Sequence, residues 1–225
     1  MTCGLPDGVG VCLFDMDGVL TKTATVHARA WKQLFEEAGY GPFTDDDYNE
    51  HVDGLPRDEG IRSFLKSRGK EVDAAEVERL GDRKNALVQE VLDRDGVQVY
   101  DDAVDYVKAA GDAGLHRAVV SSSANTRKVL ETAGLLEHFE TIVDGNTIKE
   151  RSLKGKPAPD TFLAAAKELG ADAAHAAVFE DATSGVQAGR DGGFACVVGV
   201  DRVGHAAALR AHGASVVVQA LTELL

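Results

Sequence analysis

The sequence predicts an α/β protein: a doubly wound parallel sheet with an all-helical domain inserted near its start. Three observations predict it. Short apolar runs recur at Val9–Phe14, His116–Ser121, Thr141–Val143, Ala176–Glu180, Ala195–Val200 and Ser215–Val218, each the length of a buried strand. Helical periodicity separates most of them, at Ala103–Ala113, Thr126–Ala133, Pro159–Leu169, Ser184–Asp191 and His205–Ala211. Strands that alternate with helices build a parallel sheet covered on both faces. The third observation is a break in that rhythm after the first strand.

Each element has a local reason. Val9–Phe14 is an unbroken apolar run and ends on a polar turn, Asp15-Met16-Asp17-Gly18. Several later helices are followed by glycine, at Gly114, Gly134, Gly170 and Gly213, the residue that closes a helix in the left-handed conformation. Between Thr23 and Val97–Asp101 lie about seventy-five residues without a convincing strand, far longer than an ordinary connection. Helical segments are read there at Val26–Ala38, Asp45–Asp53, Pro56–Ser67 and Asp73–Asp93. The expected organisation is therefore a core of residues 1–23 and 97–225 and a helical insertion of residues 24–96. No internal repeat or low-complexity segment is visible.

Composition narrows the function. The chain has 225 residues, 44% of them hydrophobic, enough for a sizeable core. Its formal charge is −13, from 24 basic and 37 acidic residues, so nucleic acid and anionic lipid are poor partners. A phosphorylated metabolite would also be repelled unless its site were locally cationic. No apolar run reaches the length of a membrane helix, and the N-terminus lacks a signal-peptide pattern. Cys3, Cys12 and Cys196 fit neither a zinc site nor a disulfide framework, and Cys12 and Cys196 read as packed thiols. The expectation is a cytoplasmic monomer.

Four polar stations stand at strand or loop ends: Asp15-Met16-Asp17-Gly18, Ser121, Lys156 and Glu180-Asp181. In open α/β sheets that edge is where ligands bind. Alone, Asp-X-Asp-Gly is also a routine turn, Ser121 a helix cap and Lys156 a surface charge. No Gly-X-Ser-X-Gly elbow surrounds the serines, which removes a serine hydrolase. Taken in order, the stations resemble the haloacid dehalogenase superfamily of aspartyl phosphotransferases, over nearly the whole chain. The helical insertion after the first motif is similar to the cap of the β-phosphoglucomutase-like subgroup, which also contains phosphoglycolate phosphatase and sugar-phosphate phosphatases.

The resemblance implies a Rossmann-like core, a cap that closes over substrate, and a division of labour. Asp15 would be the nucleophile and Asp17 the general acid/base. Ser121 would hold a phosphoryl oxygen, and Lys156 would neutralise Asp15 and the transferring group. Asp15, the Asp17 carbonyl, Glu180 and Asp181 would hold Mg²⁺ through hard oxygens. In the cap, Thr23-Ala24-Thr25-Val26-His27 would couple closure to Asp17 through His27. Gly54-Leu55-Pro56-Arg57 is similar to the mutase specificity loop, with Arg57 for the non-transferring phosphate. Lys84 would face the active site, and Ser122, Ser123 and Asn125 would meet the distal phosphate.

The expected substrate is thus a phosphorylated sugar or small metabolite. A β-phosphoglucomutase reaction, β-glucose 1-phosphate to glucose 6-phosphate, is favoured over a phosphatase, and both over a catalytically degenerate binding protein. Two positions depart from the mutase pattern. Asp53 stands where a lysine precedes the loop glycine, and Ala124 where a lysine precedes the phosphate-binding asparagine. Both remove positive charge.

Overall fold

In the computed structural model, which describes residues 3–225, six parallel strands form one sheet. Strand β1 is Val11–Phe14. The chain then runs through four helices, α1 (Ala24–Glu37), α2 (Asp45–His51), α3 (Arg57–Ser67) and α4 (Ala74–Asp95). The sheet resumes as α5 (Asp101–Asp112), β2 (His116–Val120), α6 (Thr126–Thr132), β3 (Thr141–Val143), α7 (Gly145–Arg151) and α8 (Asp160–Glu168). It closes with β4 (Ala176–Glu180), α9 (Thr183–Asp191), β5 (Cys196–Val200), α10 (Ala206–His212) and β6 (Val216–Val218).

The strand order is β3-β2-β1-β4-β5-β6, so the winding reverses where β1 meets β4. That reversal opens a crevice at the carboxyl ends of the strands. Register brings the stations together: Phe14 lies opposite Val119 of β2 and Phe179 of β4, and the Asp15 N–H donates to the Phe179 carbonyl at 2.9 Å. The residues that follow each strand, Asp15, Ser121 and Asp181, therefore emerge side by side.

All of β1, β4 and β5 is buried, as strands covered on both faces must be. One face packs Cys12, Phe14, Tyr106, Val119 and Phe179, with the rings of Phe14 and Phe179 stacked at 4.5 Å. The other packs Leu13, Val120, Phe162, Val178 and Val186. The inserted helices have an aromatic centre of their own, where Phe35 meets Phe64 at 4.2 Å and Trp31 at 5.4 Å. Helix α4 is capped by Asp73, whose carboxylate accepts from the Glu76 N–H at 2.8 Å.

Most element edges fall within two residues of the sequence expectation. The clear omission is α7, seven residues with one buried side chain, Ile148. A helix with a single apolar anchor shows no periodicity. Its one local signal is Asp144, which caps it by accepting from the Thr147 N–H at 2.9 Å. The expected strand Val9–Phe14 also begins later, at Val11, because Val9 and Gly10 serve a turn and the entry into the sheet. All three cysteines are free, and burial pushes the Cys12 thiol up to about 12.

Candidate active site

At the end of β1, Asp15 is buried with Lys156 against it. The Lys156 ammonium donates to Asp15, to Glu180 Oε1 at 2.6 Å and to the Val120 carbonyl at 3.2 Å. Three acceptors match its three protons. Burial works against its charge, but Asp15 and Glu180 more than offset that and hold its pKa above the ordinary lysine value. Glu180 is fixed in turn by the Ala182 N–H, which donates to Oε2 at 2.9 Å. Helix α9 makes room for this carboxylate with Gly185, where a Cβ would stand 1.8 Å from Glu180 Oε1.

Asp15, Glu180 and Asp181 each present a carboxylate oxygen within 4.8 Å of the others. Burial raises the pKa of both Asp15 and Asp181 well above the usual carboxylate range, and the neighbouring carboxylates add to it. One ammonium does not neutralise three converging carboxylates. The donor set is all hard oxygen, with no Cys or His, and it fits a small divalent cation such as Mg²⁺.

Asp17 lies beyond the strand, past a turn that Gly18 permits with φ +87°. A Cβ on Gly18 would sit 1.8 Å from Asp181 Oδ2, so the close approach of this turn to the acidic cluster also requires glycine. The Asp17 carboxylate accepts from the Thr23 hydroxyl, which is joined to the Thr21 hydroxyl at 2.5 Å. Thr21 donates to the Met16 carbonyl at 3.2 Å. On its other side Asp17 receives the Ser121 hydroxyl at 3.5 Å, and Ser121 Oγ accepts from the Ser123 N–H at 3.1 Å.

The inserted helices close over this centre. His27 Nε2 of α1 lies 3.7 Å from Asp17 Oδ1, and the Lys84 ammonium of α4 donates to His27 Nδ1 at 2.8 Å. Lys84 also lies 4.9 Å from the Trp31 ring centroid. Burial lowers Lys84 to about 8 and His27 to about 4, the latter helped by the Lys84 charge. His27 is therefore neutral at pH 7. Because an ammonium only donates, His27 Nδ1 is the acceptor and Nε2 carries the hydrogen.

The 53–57 loop is docked on the core. Ser122 donates to the Gly54 carbonyl at 2.8 Å and Ser184 to the Asp53 carbonyl at 3.2 Å. Gly54 has φ +71°, and a Cβ there would meet Ser184 Oγ at 2.2 Å. Arg57 follows, engaged by Asp58 at 3.0 Å and by Asp82 at 3.7 Å. Asp53 shares a hydrogen bond with Tyr48, and burial together with Glu180 pushes it up to about 6.

Together these groups line one cavity of about 380 Å³. Asp15, Asp17, His27, Gly54, Arg57, Lys84, Ser121, Ser122, Ser123, Asn125, Glu180 and Asp181 all face it. Thr23 and Lys156 do not; they lie one layer beneath, bonded to Asp17 and Asp15. Asn125 faces the cavity, but its amide is already engaged by Asn85 at 2.7 Å and Gln89 at 3.1 Å, both on α4. It latches the inserted helices to the core. Among the lining residues that the sequence reading did not place in the site are Tyr48 and Lys149. Lys149 comes from α7, the helix that left no periodic signal.

The model of the haloacid dehalogenase-like hydrolase family matches residues 9–193. The chain belongs to that family. Within it, a β-phosphoglucomutase from Mycobacterium tuberculosis (strain CDC 1551 / Oshkosh) is 51% identical over 99% of this chain and 94% of its own length. The fructose-1-phosphate phosphatase YqaB of Escherichia coli is 30% identical over 82% of this chain and 93% of its own. Among solved structures, the β-phosphoglucomutase of Clostridium difficile superposes with a TM-score of 0.84 at 26% identity, covering 96% of this chain and 93% of that one. The sheet-plus-helical-cap architecture is thus the family's, and these relatives include both a mutase and a phosphatase.

Proposed function

We propose that this chain is a β-phosphoglucomutase that passes a phosphoryl group through Asp15, converting β-glucose 1-phosphate to glucose 6-phosphate. The observation that carries the reading is the setting of Asp17. Its carboxylate is held by Thr23, at the root of the cap, and faced by His27 of the cap itself. An acid/base placed by the cap works when the cap is closed on a sugar and not when it is open to water. That property favours transfer to a hydroxyl over hydrolysis. The 51% identity to a mycobacterial β-phosphoglucomutase supports the same substrate.

The steps follow from the residues. The Asp15 carboxylate attacks phosphorus; the new O–P bond forms as the bond to the sugar oxygen breaks, and Asp17 gives that oxygen its proton. In the second half a sugar hydroxyl attacks the aspartyl-phosphate, Asp17 takes its proton, and the Asp15 O–P bond breaks. Lys156 and the Ser121 hydroxyl stabilise charge on the transferring oxygens. Asp15, Glu180, Asp181 and the Asp17 carbonyl would hold Mg²⁺, which supplies charge neutralisation at the phosphoryl group. Residues 24–96 act as the cap, and Arg57 meets the non-transferring phosphate.

A second reading, sugar-phosphate phosphatase, is favoured by the distal side of the cavity. Ala124 carries no charge, Asp53 is acidic, Asn125 is engaged by α4, and Arg57 is shared with two aspartates. The deciding experiment incubates the protein with Mg²⁺, β-glucose 1-phosphate and a trace of glucose 1,6-bisphosphate. Glucose 6-phosphate as the main product supports the mutase, and inorganic phosphate the phosphatase. EDTA should stop either.

A further inference from the structure

Arg202, just after β5, does not line the cavity, yet it holds the outer side of the loop whose inner side carries Asp17. Its Nη1 and Nη2 donate to the two carboxylate oxygens of Asp102 at 3.1 and 3.0 Å. Nε reaches the Gly18 carbonyl at 3.4 Å, Nη2 the Val19 carbonyl at 3.3 Å, and Nη1 the Gln219 carbonyl at 2.8 Å. The guanidinium lies flat enough on Tyr100 to stand 3.9 Å from the ring centroid. The side chain is 11% exposed.

Three pieces of chain meet at this one group. The first is the loop after β1. The second is the segment by which the cap returns to the core, where the Tyr100 N–H donates to the Leu20 carbonyl at 3.0 Å and the Lys22 N–H to the Gln98 carbonyl at 2.8 Å. The third is the C-terminal segment, whose Leu221 N–H donates to Asp102 at 2.7 Å. Gly18 has the freedom that its turn requires, and the same freedom leaves Asp17 without a local restraint on that side. A planar fork that binds three carbonyls, a carboxylate and a ring face supplies the restraint, and a lysine cannot reproduce it.

We propose that Arg202 is a positioning residue for the acid/base step: it ties the Gly18–Val19 carbonyls to the hinge at Tyr100–Asp102 and so sets where Asp17 stands relative to Asp15. The proposal rests on the reading of Asp15 as nucleophile and Asp17 as acid/base. It predicts a selective defect. With acetyl phosphate, Asp15 attacks phosphorus and acetate departs as an anion, so no acid is needed. Transfer from the aspartyl-phosphate to a bound hexose phosphate does need Asp17, which takes the proton of the attacking sugar hydroxyl as the Asp15 O–P bond breaks.

The test is rapid-quench measurement of phosphoenzyme by intact mass, loaded with acetyl phosphate in the presence of Mg²⁺ and then chased with glucose 6-phosphate, for wild type, Arg202→Gln, Arg202→Lys and Asp102→Asn. Phosphoenzyme formation should stay within about threefold of wild type, while its breakdown slows about tenfold or more, part of the 10²–10⁴ that acid/base catalysis contributes. Phosphoenzyme should therefore accumulate. Arg202→Lys, which retains charge and volume, should show a smaller defect of the same kind and keeps the test open if Arg202→Gln does not fold. The Arg202→Gln/Asp102→Asn double variant should be no slower than Arg202→Gln within about twofold, because the two act as one unit. Equal slowing of both steps, or slowing of neither, would overturn the proposal. No phosphoenzyme in the wild type would instead sink the Asp15 reading and this proposal with it.

Discussion

His27 Nε2 points at the Asp17 carboxylate from 3.7 Å and has no hydrogen-bond partner, although it is buried. Its other nitrogen is saturated by Lys84. A buried N–H left about half an ångström short of its acceptor costs free energy that a small cap movement would recover. Under the proposed function, the pair senses cap position. His27→Ala should lower turnover of a sugar phosphate, whose binding drives closure, about tenfold or more while changing acetyl-phosphate hydrolysis by less than about threefold. Parallel steady-state assays of the two substrates check this. Equal losses would make the histidine structural only.

Arg57 shares its charge with Asp58 and Asp82 and is about one-third exposed. Gly81 of α4 leaves space for it, since a Cβ there would lie 2.6 Å from Arg57 Nε. Arg57→Ala should cost about 1.5–3 kcal/mol of interaction with a substrate that carries a second charged group, roughly ten- to a hundredfold in kcat/KM. Acetyl phosphate, with no distal group, should be nearly indifferent. Gly81→Ala should mimic the defect in part by displacing the guanidinium.

Lys84 gives a pH-dependent stability with a defined sign. Its pKa falls from 10.5 to about 8 on folding, so between those values the unfolded chain binds the extra proton. Stability contributed by this residue therefore rises with pH across about 8 to 10.5 and is least below 8, where the buried ammonium is charged. Replacement by methionine removes that titration. The stability difference, Lys84→Met minus wild type, should favour the variant more below pH 8 than at pH 10.5, by about 3 kcal/mol. Urea unfolding of both proteins at several pH values measures it. A pH-independent difference would contradict the burial of a charged Lys84.

The strand-end residues of the candidate site are more legible in the sequence than those of the inserted helices. Asp15, Ser121 and Glu180-Asp181 are legible because each follows an apolar run, and strand ends in a parallel sheet converge whatever lies between them. Thr23 and Lys156 were legible as site residues but not as buried supports, a distinction that depends on depth. Asn125 reads as a phosphate ligand, and its bonds to Asn85 and Gln89, from a helix some forty residues away, left no local signal. Lys149 lies on a helix with one apolar anchor. Arg202 could not be read at all, because its partners are backbone carbonyls and an aspartate 100 residues earlier. Local pattern carries no trace of such contacts.

The central claim is that Asp15 becomes phosphorylated. The most direct measurement is to incubate wild type and Asp15→Asn with Mg²⁺ and acetyl phosphate, quench in acid, and locate any added phosphoryl group by peptide mass spectrometry. The account predicts one phosphoryl group on the peptide containing Asp15 in the wild type and none anywhere in Asp15→Asn, since an amide is not a competent nucleophile. Modification at another residue, or undiminished turnover by the Asp15→Asn variant, would contradict it.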